Sequence, residues 1–189
     1  MGEPTSFLTG TVLISAWMAG KTFGLSLDEK VFRRALKFLK SQRTPAGTYV
    51  YSLSHSYYPG RPINRHTGSL ARTPACDYAI KLLDRLWSRR GWLTMALHKP
   101  VPHESFAQNS GYFFYYGYYY SGMCLDMLAP NQVKRHASLL AGDILARQGR
   151  DGSWWDYPLY NYHKFYGTGY ALYALSRAWD KLYGHPIIH

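Results

Sequence analysis

Only 11 of the 189 residues are Asp or Glu, so few groups are available for acid–base chemistry. His103-Glu104 stands directly before an aromatic stretch, and a carboxylic acid in aromatic surroundings has a raised pKa and donates protons. The alternative for Glu104 is a place at a helix N-terminus, where the helix dipole favours an acid. Asp151 and Asp156 flank Trp154-Trp155, and paired carboxylates beside tryptophans suit glycoside hydrolysis. Asp151 also sits in a polar turn, where a short side chain stabilises the loop. Catalytic candidates are therefore Glu104, His103 and Asp156.

Metal and redox chemistry find little support in the spacing. The eight histidines are scattered without metal-ligand periodicity, and His98 and His103 only share a proline-rich neighbourhood. Cys76 and Cys124 stand singly in apolar helical patterns and read as buried free thiols. No Gly-rich phosphate loop, nucleophile elbow or redox pair of cysteines occurs. The sequence implies no metal and no cofactor.

A run of tyrosine and phenylalanine from Tyr112 to Tyr120 is the strongest binding candidate. On a helix such a run presents one aromatic face to a ligand and packs the other, and Tyr112, Tyr115, Tyr116 and Tyr119 are the cavity candidates. Pure core packing is the competing reading. With 18 tyrosines and 17% aromatics, the whole chain is suited to large apolar contacts whose hydroxyls need partners.

These residues require helices to place them. Thr5 or Ser6 caps a first helix to about Ala19, with Gly20 and Gly24 at its exit. A second runs from Ser26 or Asp28 to near Gln42, where Thr44-Pro45-Ala46-Gly47 closes it. An aromatic, proline-containing loop from Tyr49 to Ser69 precedes a third helix over Pro74 to Trp87. Trp92 to Leu97, Gly111 to Leu128, Pro130 to Gln148 and Tyr166 to Tyr183 complete the set. No segment alternates as a half-buried strand does, so the class is all-α, a single domain over residues 1–189.

The net charge of +11 raises nucleic acid, anionic membranes and acidic ligands as partners. Lys30, Arg33, Arg34, Lys37 and Lys40 recur opposite Val31, Ala35, Phe38 and Leu39, which reads as a solvated outer face. No nucleic-acid-binding signature is present, so nucleic acid is not an expected partner. Phe7 to Gly20 lacks a basic flank and a cleavage site and reads as a packed helix. The compartment stays open.

Two stretches share a device. Gln42 runs on to Gly47-Thr48-Tyr49, and Gln148 to Gly152-Ser153-Trp154; each follows an amphipathic helix, and a glycine stands two residues before a large aromatic. With Tyr166 to Leu175 after the second copy, and a degenerate copy at Arg90-Gly91-Trp92, this resembles the QW-type repeat of squalene–hopene cyclases and related prenyltransferase and squalene-oxidase repeat proteins. The resemblance implies an α/α toroid, of which about seven helices make about half. It assigns Gln42, Gly47, Tyr49, Gln148, Gly152 and Trp154 to a structural clamp between helix ends, and it would let His103-Glu104 overhang a central cavity.

The chain departs from the family where catalysis is concerned. The Asp-x-Asp-Asp acid motif is missing, as is the Gly-Cys-Gly-Glu-Gln thioester sequence. Cys76-Asp77 is the only local hint of a zinc ligand pair, and neighbours on a helix point apart. The resulting expectation is a non-catalytic relative that binds an apolar or isoprenoid-like small molecule or a protein partner. The alternatives are a fragment of an active cyclase or prenyltransferase whose toroid a second chain completes, and a carbohydrate-active α/α barrel. Family cyclases are monotopic, which with the basic charge implies peripheral membrane contact.

Overall fold

The computed structural model describes residues 3–65, 67–69, 71–87, 113–156 and 161–184. Among these the chain is all-helical, with no strand beyond two isolated bridges. It divides into two compact units, Met1–Ala96 and Leu97–His189. No described helix is long and apolar enough to cross a membrane.

In unit 1, α1 (Ser6–Phe23), α2 (Glu29–Ser41) and α3 (Thr73–Trp87) pack on one another. The α2 sequence is strongly amphipathic: Phe32, Leu36 and Leu39 are buried, while Lys30, Arg33, Arg34, Lys37 and Lys40 face water. Asp28 caps α2, its carboxylate accepting from the N–H groups of Lys30 and Val31 at 2.8 and 3.3 Å. Helix α1 outruns its expected end by a turn and stops at Gly24, whose φ of 65° is left-handed. Gly20 does not break it, because a Cβ there would lie 2.8 Å from Leu27 Cδ1, so the glycine makes room for the returning chain. Thr5 is extended but gives α1 no side-chain cap.

The segment between α2 and α3 is ordered by two side chains that address backbone. Asn64 Oδ1 accepts from Tyr51 N–H at 2.9 Å, and its amide donates to the carbonyls of His55 and Tyr58. Arg72 is buried and donates to the carbonyls of Tyr49, Gly68 and Ile63. Burial pulls its guanidinium down to about 10, still charged at neutral pH.

In unit 2, α4 (Phe114–Cys124) continues into a 3-10 turn at Leu125–Met127, followed by α5 (Pro130–Leu145) and α6 (Tyr162–Tyr183). Pro130 opens α5, where its missing N–H is harmless. Both α4 and α5 pack chiefly on α6. Leu125, Ala137 and Ala178 form the centre of one cluster, and Gly122 brings α4 close to Ala174 of α6. Helix α4 is shorter than the sequence suggests and α6 begins a turn earlier. The expected helix over Trp92 to Leu97 lies outside the described residues.

Candidate ligand-binding face

The two glycine–aromatic turns share a hydrogen-bond pattern. In the first, Thr44 N–H donates to Thr48 O at 2.8 Å and Gly47 N–H to Thr44 O at 2.9 Å. In the second, Gly149 N–H donates to Ser153 O at 2.7 Å and Gly152 N–H to Gly149 O at 2.9 Å. Gly47 and Gly152 have φ of 82° and 81°, a left-handed conformation open to glycine. This register aligns Tyr49 with Trp154, and it sets Gln148 opposite Arg43 rather than Gln42. The glutamines differ accordingly. Gln148 Nε2 donates to Gly152 O at 2.8 Å on the surface. Gln42 is buried, its amide meets Ser41 Oγ at 3.2 Å, and its Oε1 has no hydrogen-bond partner.

The aromatic of each turn is driven inward and its polar atom finds an acceptor. Trp154 Nε1 donates to Ile144 O at 2.7 Å, satisfying a carbonyl at the end of α5. Tyr49 is fully buried and donates to Asp77 Oδ1 of α3 at 2.7 Å. Burial pushes Asp77 up to about 6, against the opposing pull of the Tyr49 hydroxyl and of Arg43 and Lys81. Cys76 points elsewhere, its Sγ donating to Ser6 O at 3.4 Å, and burial raises the thiol. The sequence offered Asp77 only as half of the Cys76-Asp77 hint of a zinc pair, not as a partner of Tyr49. Its signal was the tyrosine at a turn position, since a buried phenol requires an acceptor.

Among the catalytic candidates, His103 and Glu104 lie outside the described residues, as does Tyr112. Asp156 is 1% exposed. Its Oδ1 accepts from Tyr115 N–H, in the first turn of α4, at 3.0 Å, and its Oδ2 accepts from the Tyr166 hydroxyl. A carboxylate held by a helix N-terminus and a phenol positions both. Asp151 is a surface group, bound to Lys164 and to Ser153, and these contacts hold it well below the usual carboxylate range. Among the described residues no three metal-ligating side chains cluster.

The cavity candidates separate by burial. Tyr115 is 1% exposed and packs edge-on to Tyr118 with centroids 5.6 Å apart. Tyr116 and Tyr119 are half-buried and begin a file of rings shared by α4 and α6. Tyr119 lies 4.5 Å from Tyr173 and 5.0 Å from both Tyr170 and Tyr120. Tyr166 follows at 5.7 Å from Tyr170, and Phe113 ends the file 6.4 Å from Tyr166. His163 is buried behind this end, where loss of water lowers its pKa and keeps the imidazole neutral. Sequence reasoning placed the α4 members; the α6 members escaped it because their spacing also suits a core stripe. The face offers π surfaces and half-buried hydroxyls along two packed helices, with Asp156 fixing one end.

No family model matches the chain, and neither a curated protein nor a solved structure matches it significantly.

Proposed function

We propose that the chain is a terpenoid-cyclase-like, α/α-toroid type of helical protein that binds an elongated apolar, isoprenoid-like molecule along the α4–α6 tyrosine file without transforming it. The observation that carries this reading is the continuity of the file: part-exposed rings from two helices at contact spacing suit a long hydrocarbon better than a compact polar ligand. The shared turn pattern supports relationship to the QW-type proteins, and the missing Asp-x-Asp-Asp acid supports binding over cyclisation.

Thermal shift against geranylgeraniol, farnesol and a cello-oligosaccharide tests it, because a ligand selective for the native state raises apparent stability. The prenols are expected to raise the Tm and the sugar to leave it unchanged. Tyr119→Ala and Tyr170→Ala should remove the prenol shift. A shift with the oligosaccharide alone would move the reading to the carbohydrate class, and no shift with either would overturn it.

A further inference from the structure

The tyrosine file is polar at one end, and the direction of the hydrogen bonds there is fixed. Asp156 is 1% exposed and accepts from two groups. Tyr115 N–H donates to its Oδ1 at 3.0 Å, and the Tyr166 hydroxyl donates to its Oδ2. Both partners are donors, which suits an ionised carboxylate. Tyr166 is half-buried, and its ring belongs to the file, 5.7 Å from Tyr170 and 6.4 Å from Phe113. Its hydroxyl is therefore the point at which the file meets the buried charge.

A phenol has one proton to donate and oxygen lone pairs with which to accept. The Tyr166 proton is committed to Asp156. Burial and the facing carboxylate raise this hydroxyl far above the ordinary tyrosine range, so the proton stays in place. Toward a ligand the oxygen is then an acceptor, made more electron-rich by the charge-assisted bond behind it. An alcohol O–H complements it. An ether or ester oxygen does not, because it too only accepts. A diphosphate is refused twice, since its oxygens accept and its charge faces that of Asp156. The neighbouring His163, with ring centroids 5.4 Å from Tyr166, is kept neutral by burial and brings no compensating cation. At the other end of the file, beside Tyr173, Arg177 and Lys181 both hold Asp126, so these cations already have an anion.

We propose, building on the ligand reading of the file, that Tyr166 held by Asp156 is its headgroup site and selects a neutral prenol by accepting a hydrogen bond from the ligand hydroxyl. Tyr166 sets the specificity, and Asp156 is a positioning residue that acts through it. The rings of Tyr119, Tyr170 and Tyr173 take the hydrocarbon.

Intrinsic-fluorescence titration of the full chain with farnesol, farnesyl methyl ether and farnesyl diphosphate tests the assignment, because the three probes share one chain and differ only in the head. Wild type is expected to bind farnesol at least tenfold more tightly than the ether, and the diphosphate more weakly than farnesol. Tyr166→Phe should bring farnesol down to the affinity of the ether and leave the ether unchanged. In Asp156→Asn the amide oxygen still accepts from Tyr115 N–H, so the amide nitrogen donates to the Tyr166 oxygen and turns the phenol proton toward the ligand. The preference for the alcohol should then disappear. A merely structural role for either residue would lower all three affinities together. Equal binding of farnesol and its ether by wild type, tightest binding of the diphosphate, or a tenfold preference that survives Tyr166→Phe or Asp156→Asn would overturn the headgroup site while the file remains a ligand face. Failure of wild type to bind any of the three would overturn the ligand reading as well.

Discussion

In unit 1 the first helix starts on Ser6, whose N–H and hydroxyl donate to the carbonyls of Tyr51 and Val50 at 3.0 and 2.6 Å. In unit 2 the first described helix is met by Asp156, a carboxylate on the segment leaving an equivalent turn. Both turns thus lead back to the helix one before that which precedes them, α1 and α4, one with neutral backbone acceptors and one with a buried acid. The contrast recurs at the turn aromatics, where Tyr49 needs the Asp77 carboxyl and Trp154 needs only a helix carbonyl. Among the described residues each unit therefore buries one acid at this junction but on opposite partners: unit 1 on the receiving helix, unit 2 after the turn. Acids in these positions are anchors whose loss exposes donors to an apolar interior.

The largest expected effect comes from breaking the unit 2 anchor. Asp156→Ala removes the acceptor of both the Tyr115 N–H and the Tyr166 hydroxyl, and should cost about 3 kcal/mol in urea unfolding. Ser6→Ala at the matching place in unit 1 should cost only about 1 kcal/mol, since one neutral bond is lost. Equal losses would dissolve the contrast between the acceptors.

Titration sharpens it next. Asp77 binds its proton more tightly folded than unfolded, with a folded pKa of about 6 against an ordinary aspartate value of 3.8. Its contribution is therefore present below the unfolded value and lost as pH rises through about 6, a fall on the order of 3 kcal/mol. Asp77→Asn, which keeps an acceptor for Tyr49, should flatten that part of the stability–pH curve. A curve unchanged by the substitution would remove Asp77 as its source.

Helix contacts give a smaller difference. A Cβ on Gly167 would stand 2.8 Å from Trp154 O, so Gly167→Ala should cost about 2 kcal/mol by thermal denaturation. A Cβ on Gly10 would stand 3.3 Å from Ala75 O, and the strain there roughly offsets the gain in helix propensity, leaving Gly10→Ala near neutral. Smallest are the glutamines, and they should differ in sign. Gln42→Met removes a buried carbonyl without a partner and should stabilise by about 0.5 kcal/mol, whereas Gln148→Ala should cost about 0.5 kcal/mol. Losses of like size at both would restore a common clamp role.

Periodicity made α2 and α6 legible, because each buries one stripe, whereas α4 buries residues on all its sides and was read from its unbroken apolar run; Asp28, Gly24 and Pro130 marked ends through local chemistry. Boundaries failed where a tertiary contact overrode the local signal, as at Gly20, which turned out to serve Leu27 rather than end α1. The equivalence of the two glutamines looked firm in one dimension, but the turns align on their glycines and shift it by one residue. Asp156 was visible as an acid beside tryptophans; its partners, 10 and 41 residues away, were not. Asp77 was hidden because its phenol partner comes from 28 residues earlier.

Arg72 and Asn64 hold the stretch from Tyr49 to Ser69 almost entirely by its main-chain oxygens and amides. Main-chain atoms are the same whatever residue carries them. Such a loop fixes much of its path through atoms common to every residue, with Asn64 as the member that reads them, so the exposed Tyr57 carries little of its conformation. Two side chains thus set the course of about twenty residues, and the loss of either releases the whole stretch rather than one contact.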